Sequence, residues 1–494
     1  MESETRESGA RLLVVSHRGP VTLETRRGET RYRLGTGGLV AALDPILKSE
    51  GGLWIASGDN PPGHEAGVPF AIPGRPGMEV VHLEIPVRLH ERHYLGFSNR
   101  VLWPLAHGFP NMVHFQRRDL VGYLEVNEIF ADAVLQHARP RDVVWVHDYQ
   151  LAAVPALVRA KRPDARISFF WHIPFPGYEV FRALPYHEDL IAGLLGADHV
   201  NFHLESYAAA FRGAVQTLLG ATMAGNRAVT WNGREVEIGA VPIGIDAGSW
   251  ESTGAQPRVQ REARSIRELC GTEHIILGVD RLDYTKGILE RIRAVERLLD
   301  TQADLRGEFC LVQIAVPSRT RVPEYREMRR EIDETVGRVN ARFARGSYVP
   351  VRYYYRGFSP RSLATYYRAA DVGLVTPLRD GMNLVAMEFV MANADRPVVL
   401  ILSELAGASE VLDGALLVNP YDLDGVAEGI RSALEMNPNE RRRRTQALVE
   451  QVRGHDVHAW ARTNLEQLRG GVPASFGDEA ALSRAEAGPV NAGS

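Results

Sequence analysis

Short apolar runs that end in polar residues recur along the chain. The first is Arg11-Leu-Leu-Val-Val-Ser-His-Arg18. Others span Val143–Asp148, Ile167–His172, Ile275–Asp280, Phe309–Ile314, Val372–Pro377, Val398–Ser403 and Ala415–Asn419. Unbroken apolar runs of this length predict parallel strands buried on both faces. Helical patterns lie between them. One covers Leu151–Ala160. In another, Ile288, Ile292, Val295 and Leu298/Leu299 share one face with charges opposite. Strands alternating with helices predict an α/β protein with mainly parallel sheets. The strands fall into two groups, and Ser252–Pro257 between them reads as linker. The expected architecture is two doubly wound domains facing across a cleft, with no internal repeat. Ligands in such sheets bind beyond the strand carboxyl ends, so the polar residues closing each run are the functional candidates.

Composition narrows the function. The 494 residues hold 57 Lys+Arg and 61 Asp+Glu, a net charge of −4. That balance argues against a general nucleic-acid binder. Two cysteines, Cys270 and Cys310, exclude a disulfide framework and a four-cysteine zinc site, and predict a reducing, cytoplasmic setting. No apolar run approaches the length of a membrane span, and the acidic N-terminus is not a secretory signal. The Ala/Gly/Ser/Glu-rich tail is expected to be disordered.

Several strand ends carry candidate chemistry. Arg281-Leu-Asp-Tyr-Thr-Lys286-Gly287 sits at a strand–helix junction. Two cations beside a helix N-terminus suit a phosphate; the alternative is a solvated pair capped by Asp283. In Leu378–Glu388, Gly381 permits a tight turn whose following amides could meet a diphosphate. Glu388 is expected about two turns into the next helix, as a ribose acceptor or as a surface acid. Asp148 and His172 close neighbouring strands. Thr36-Gly37-Gly38-Leu39 is a glycine turn before a helix, a common pattern. Asp422 and Asp424 read as an N-cap and a first-turn acid, so no metal is assigned. Arg441–Arg444 reads as a solvated helix face.

Taken in order, Ser16-His-Arg18, Gly37-Gly38, Phe97-Ser-Asn-Arg-Val-Leu-Trp103-Pro, Trp145-Val-His-Asp148-Tyr, His172-Ile-Pro-Phe-Pro, Arg281-Leu-Asp-Tyr-Thr-Lys286-Gly and Arg379-Asp380-Gly-Met-Asn-Leu-Val-Ala resemble the trehalose-6-phosphate synthase family. The resemblance implies two Rossmann-like domains of the GT-B type. It implies residues 1–10 as a flexible start, 11–245 as an acceptor domain and 246–455 as a donor domain. A helix over 456–471 would cross back to the first domain, and 472–494 would form the tail. The implied reaction is retaining transfer of glucose from UDP-, GDP- or ADP-glucose to glucose 6-phosphate, without metal or cofactor. Nucleic acid and membrane are not implied partners, whereas a homo-oligomer is.

The resemblance also implies roles. Arg281 and Lys286 would hold the diphosphate, with Asp380 on the donor glucose and His172 beside it. Gly381, Met382, Asn383, Leu384 and Val385 would present amides to the donor. Glu388 would hold the ribose, Phe358 would meet the base, and Gly38 would turn near the diphosphate. Arg18 and Arg319 would bind the acceptor phosphate, and Tyr94, Trp103 and Asp148 the acceptor sugar. The chain departs from the family pattern at His17, where asparagine is usual, at Ala56 and Ser57, at Gln150, where histidine is usual, and at Met387, where lysine is common. Alternatives are a related transferase with another acceptor, such as glucosylglycerol-phosphate synthase or a cyclitol-coupling pseudo-glycosyltransferase, a silent regulatory subunit, and a glycoside hydrolase.

Overall fold

The computed structural model describes residues 10–470, apart from 27–28, 35–39, 41, 44–45, 48–50 and 321. Twelve described strands precede residue 241: β1 (Leu12–Arg18), β2 (Val21–Arg26), β3 (Glu29–Leu34), β4 (Gly52–Ser57), β5 (Phe70–Ala71), β6 (Met78–Leu83), β7 (Val143–His147), β8 (Arg166–Phe170), β9 (His199–Phe202), β10 (Thr222–Ala224), β11 (Ala228–Trp231) and β12 (Arg234–Ala240). Ten of them form one sheet in the order β10-β11-β12-β9-β8-β7-β1-β4-β6-β5, while β2 and β3 make a separate hairpin. The pairs from β12 to β6 are parallel. The edge strands β5, β10 and β11 pair antiparallel. Each is only two to four residues long, too short to show a period or an extended apolar run, so pattern alone did not reveal them.

Six strands follow: β13 (His274–Arg281), β14 (Phe309–Val316), β15 (Val351–Tyr355), β16 (Val372–Val375), β17 (Val399–Ser403) and β18 (Leu416–Val418). Their order is β15-β14-β13-β16-β17-β18, all parallel. This is the dinucleotide-fold order, with its topological reversal between β13 and β16. The central strands are buried along nearly their whole length, as unbroken apolar runs require. Ile288, Ile292, Val295, Leu298 and Leu299 on the helix Ile288–Thr301 all face the core.

Three local expectations change. Ser252–Pro257 is not an extended linker: it lies in the helices Ala247–Ala255 and Pro257–Cys270. Asp246 caps the first by accepting from the Ser249 amide at 2.8 Å, and Pro257 opens the second. Gly254 packs so closely on the Ala392 carbonyl that a Cβ would stand 2.3 Å from its oxygen. Second, the pattern from Leu151 becomes a tight turn at Tyr149–Leu151 followed by the helix Val154–Lys161. Third, the arginine run is only partly solvated, since Arg444 donates to the Gly414 carbonyl as well as pairing with Glu440. Asp422 does cap its helix, and Asp424 pairs with Arg297.

The helix Val457–Leu468 crosses to the first sheet. Trp460 packs on Trp145, and the Asn201 side-chain amide donates to Asn464 and Gln467. Among the described residues no helix is long and apolar enough to cross a membrane.

Candidate active site

The reversal between β13 and β16 brings together the loops that follow them. The loop after β13 closes in a turn at Tyr284–Lys286, capped by Asp283, which accepts from the Thr285 amide at 3.1 Å. Gly287 then adopts φ 62°, and a Cβ there would stand 2.3 Å from the Thr376 carbonyl oxygen. Only glycine fits so tight a seam between the two loops. The Leu378 amide donates to the Thr285 carbonyl at 2.8 Å and locks them in register.

Lys286 and Asp380 meet across this seam. Lys286 Nζ donates to Asp380 Oδ2 at 2.5 Å, and Asn383 Nδ2 donates to the same oxygen at 2.9 Å. Burial alone would raise the Asp380 carboxyl; the Lys286 ammonium reverses that and holds it below its ordinary range. Lys286 is therefore a buried, paired cation rather than a solvated one. Arg281 is exposed, with its guanidinium 5.4 Å from the centre of the Trp103 ring.

Gly381 matters for a reason other than its turn. A Cβ there would stand 2.7 Å from the His172 carbonyl oxygen, so the loop after β16 presses on the loop after β8. Tyr207 from the first sheet's side donates to the Asp380 carbonyl at 3.2 Å. Asn383, at φ 81°, caps the helix Leu384–Ala392 by accepting from the Ala386 amide. Met382 is buried, while Leu384 and Val385 are half-buried in the first turn, where helix N–H groups lack intrahelical partners.

Glu388 lies one turn into that helix, not two, because the helix begins at Leu384. It is no surface acid: it accepts from the Tyr367 hydroxyl at 2.8 Å, and burial pushes its carboxyl up to about 7. Between 4.5 and about 7 the folded chain holds a proton that the unfolded chain has released, so stability falls as pH rises through that window. Glu388→Gln is expected to flatten this slope in thermal melts across that range. Phe358 stands edge-on to Tyr366 at 5.1 Å, with the Arg356 guanidinium 4.6 Å from its ring centre.

The first sheet has its own reversal at β1, whose neighbours are β7 and β4. Arg18 ends β1, and Asp148 follows β7. Arg18 Nη2 donates to the Tyr94 hydroxyl at 2.7 Å. Burial would raise that phenol, but the charges of Arg18, Arg319 and Arg281 bring it below its ordinary value. Of the three, Arg18 alone bonds Tyr94, while Arg281 and Arg319 from the second half of the chain both lie against the Trp103 ring. Arg319 donates to Asp283 at 2.9 Å and to Tyr325, and its guanidinium lies 4.2 Å from the Trp103 ring centre. Trp103 Nε1 donates to Asp283 at 3.4 Å. Asp148, at φ 75°, accepts from the amides of Tyr149 and His172, yet burial raises its carboxyl to about 6. Burial also lowers His172 well below the usual imidazole value, so the ring is neutral.

The departures also find places. His17 stacks on Tyr94 with ring centres 4.7 Å apart, and Ser57 donates to its carbonyl. Ala56 and Gln150 are buried, and Met387 is fully buried in the core, where a lysine charge would need a partner. Gly38 lies outside the described residues. Sequence reasoning treated Asp283 only as a cap and missed Tyr207. Asp283 joins Arg319, Tyr325 and Trp103 over separations that no local spacing reveals.

Two Rossmann-like sheets with their reversal points turned to one cleft define a GT-B glycosyltransferase fold. The profile of glycosyltransferase family 20 matches residues 10–470. The trehalose-6-phosphate synthase of Mycolicibacterium smegmatis is 41% identical over 484 residues, covering 94% of this chain and 93% of that protein. The UDP-forming alpha,alpha-trehalose-phosphate synthase A of Dictyostelium discoideum is 37% identical over 477 residues, covering 95% of this chain. The match spans 63% of that relative's length. The crystal structure of the corresponding UDP-forming enzyme of Burkholderia xenovorans, in complex with glucose-6-phosphate, superposes with a TM-score of 0.85 at 34% identity, covering 93% of this chain and all of that one. The chain belongs to glycosyltransferase family 20.

Proposed function

We propose that this chain transfers glucose, with retention, from a nucleotide diphosphate glucose to glucose 6-phosphate, giving α,α-trehalose 6-phosphate. One observation carries the reading. Two cationic centres lie in the cleft: Arg281 with Lys286, at the end of β13 and in the turn that follows it, and Arg18, at the end of β1 and bonded to Tyr94, with Arg319, which stacks on Trp103. A donor diphosphate and an acceptor phosphate need two such centres. The relatives named above, one of them in complex with glucose-6-phosphate, support the same substrates.

In this reading Arg281 and Lys286 meet the charge that grows on the leaving diphosphate, so neither metal nor cofactor is assigned to that task. Asp380, kept anionic by Lys286, accepts hydrogen bonds from donor hydroxyls. Neutral His172 offers hydrogen bonds but no charge. Glu388 takes the ribose, and Arg18 with Arg319 takes the acceptor phosphate by forked contacts. The acceptor hydroxyl attacks from the face that the diphosphate leaves, and its proton passes to the departing phosphate oxygen. Contact between the two loops at Gly381 helps exclude water.

A second reading keeps the donor chemistry but changes the phosphorylated acceptor. His17 favours it, because it stacks on Tyr94 at a position where the resemblance expects asparagine. A matrix of initial rates, with UDP-, GDP- and ADP-glucose against glucose 6-phosphate and glycerol 3-phosphate, separates the two. Glucose 6-phosphate is expected to be the preferred acceptor. Activity confined to glycerol 3-phosphate would eliminate the first reading.

A further inference from the structure

Three imidazoles gather at the carboxyl ends of β7, β8 and β9: His147, His172 and His203. His147 and His203 are buried; His172 is half-buried. His147 Nδ1 lies 3.1 Å from His172 Nε2. His203 Nε2 lies 3.1 Å from the His172 carbonyl oxygen. Trp460, from the helix that crosses back, covers the group with its ring 6.0 Å from His172 and 6.2 Å from His147. Nothing in this arrangement was legible as spacing, because the crossing helix is more than 250 residues away from β8.

Burial holds all three rings neutral, with His147 lowered to about 3 and His203 to about 4. A hydrogen bond between two neutral imidazoles has one donor and one acceptor, so the tautomer of one dictates that of the other. The far nitrogen of His147, Nε2, is buried and has no hydrogen-bond partner among the described residues. A buried N–H without an acceptor is rarer, and more costly, than a lone pair without a donor. The His147 proton therefore belongs on Nδ1, where it has an acceptor. His172 Nε2 is then that acceptor, and the His172 proton sits on Nδ1.

We infer that His147 is a positioning residue, which fixes His172 as its Nδ1–H tautomer and so makes the half-buried residue a hydrogen-bond donor toward a hydroxyl of the nucleotide sugar. The inference rests on the reading of His172 as the residue beside the donor sugar. His203 and Trp460 hold the same ring in place through its carbonyl and its face.

The test uses the full-length chain labelled with nitrogen-15 at histidine. The His172 resonances are assigned by their loss in His172→Gln. In the unsubstituted protein His172 is expected to carry its proton on Nδ1. In His147→Phe it is expected to sample both tautomers, while kcat falls by about 10- to 100-fold and the KM for glucose 6-phosphate stays within about twofold. His147→Asn, whose amide N–H reaches about where Nδ1–H was, is expected to restore the tautomer and most of the rate. A His172 proton found on Nε2 overturns the inference, as does a His147→Phe protein with unchanged tautomer and rate. If His147→Phe does not fold, the tautomer in the unsubstituted protein decides. Failure of the underlying reading looks different: His172→Gln would then transfer glucose at the normal rate.

Discussion

Replacing Lys286 with alanine is expected to lower kcat/KM by at least about 10²- to 10³-fold, the range seen when one preorganised group facing a developing oxyanion is lost. The same change should lower thermal stability. Lys286 and Asp380 have side chains only 9% and 14% exposed, and their charges neutralise each other at 2.5 Å. Removing one partner of a buried pair costs about 3–5 kcal/mol, because the other charge is left without compensation. The two effects can be separated. Adding Asp380→Asn to Lys286→Ala removes the stranded carboxylate, so the melting temperature should recover while transfer stays low. A double variant that regained transfer would contradict the role assigned to Lys286.

Asp283→Asn is expected to be the second most damaging change. Asp283 is fully buried and accepts from Thr285, Arg319, Tyr325 and Trp103. An amide would turn an NH2 group toward one of these donors and leave the buried Arg319 charge without its partner. The expected cost is again about 3–5 kcal/mol. Acceptor KM should rise as well, since Arg319 and Trp103 lose the anchor that sets their stacking. Burial raises this carboxyl, but Arg319, Arg281 and Lys286 outweigh it and bring it from 3.8 to about 2. Across that window the unfolded chain binds the extra proton, so the stability due to Asp283 is full above 3.8 and is lost as pH falls toward about 2. Acid unfolding of the Asn variant should therefore show a shallower slope between those values, and circular dichroism against pH would measure it. An unchanged slope would mean that Asp283 contributes no pH-dependent stability.

The strand ends were readable from the chain because polar residues closing buried parallel strands must lie where ligands bind. Arg18, Asp148, Lys286 and Asp380 all occupy such positions. Glu388 was placed one turn too deep and left open between ribose acceptor and surface acid. Its burial depends on Tyr367, a residue from another helix. Gly381 was singled out as a turn, whereas its real constraint is the His172 carbonyl from the other half of the chain.

Apolar periodicity by itself determined the α/β class and the inner strands, because burial on both faces demands unbroken runs whatever the neighbours are. Motif order determined the family resemblance. Only the tertiary structure decided which charges neutralise one another: Lys286 with Asp380, and Arg319 with Asp283 rather than standing free beside Arg18. Strand order and domain contact set those distances, and electrostatic interaction in a buried site depends on distance and desolvation, neither of which is written in local spacing.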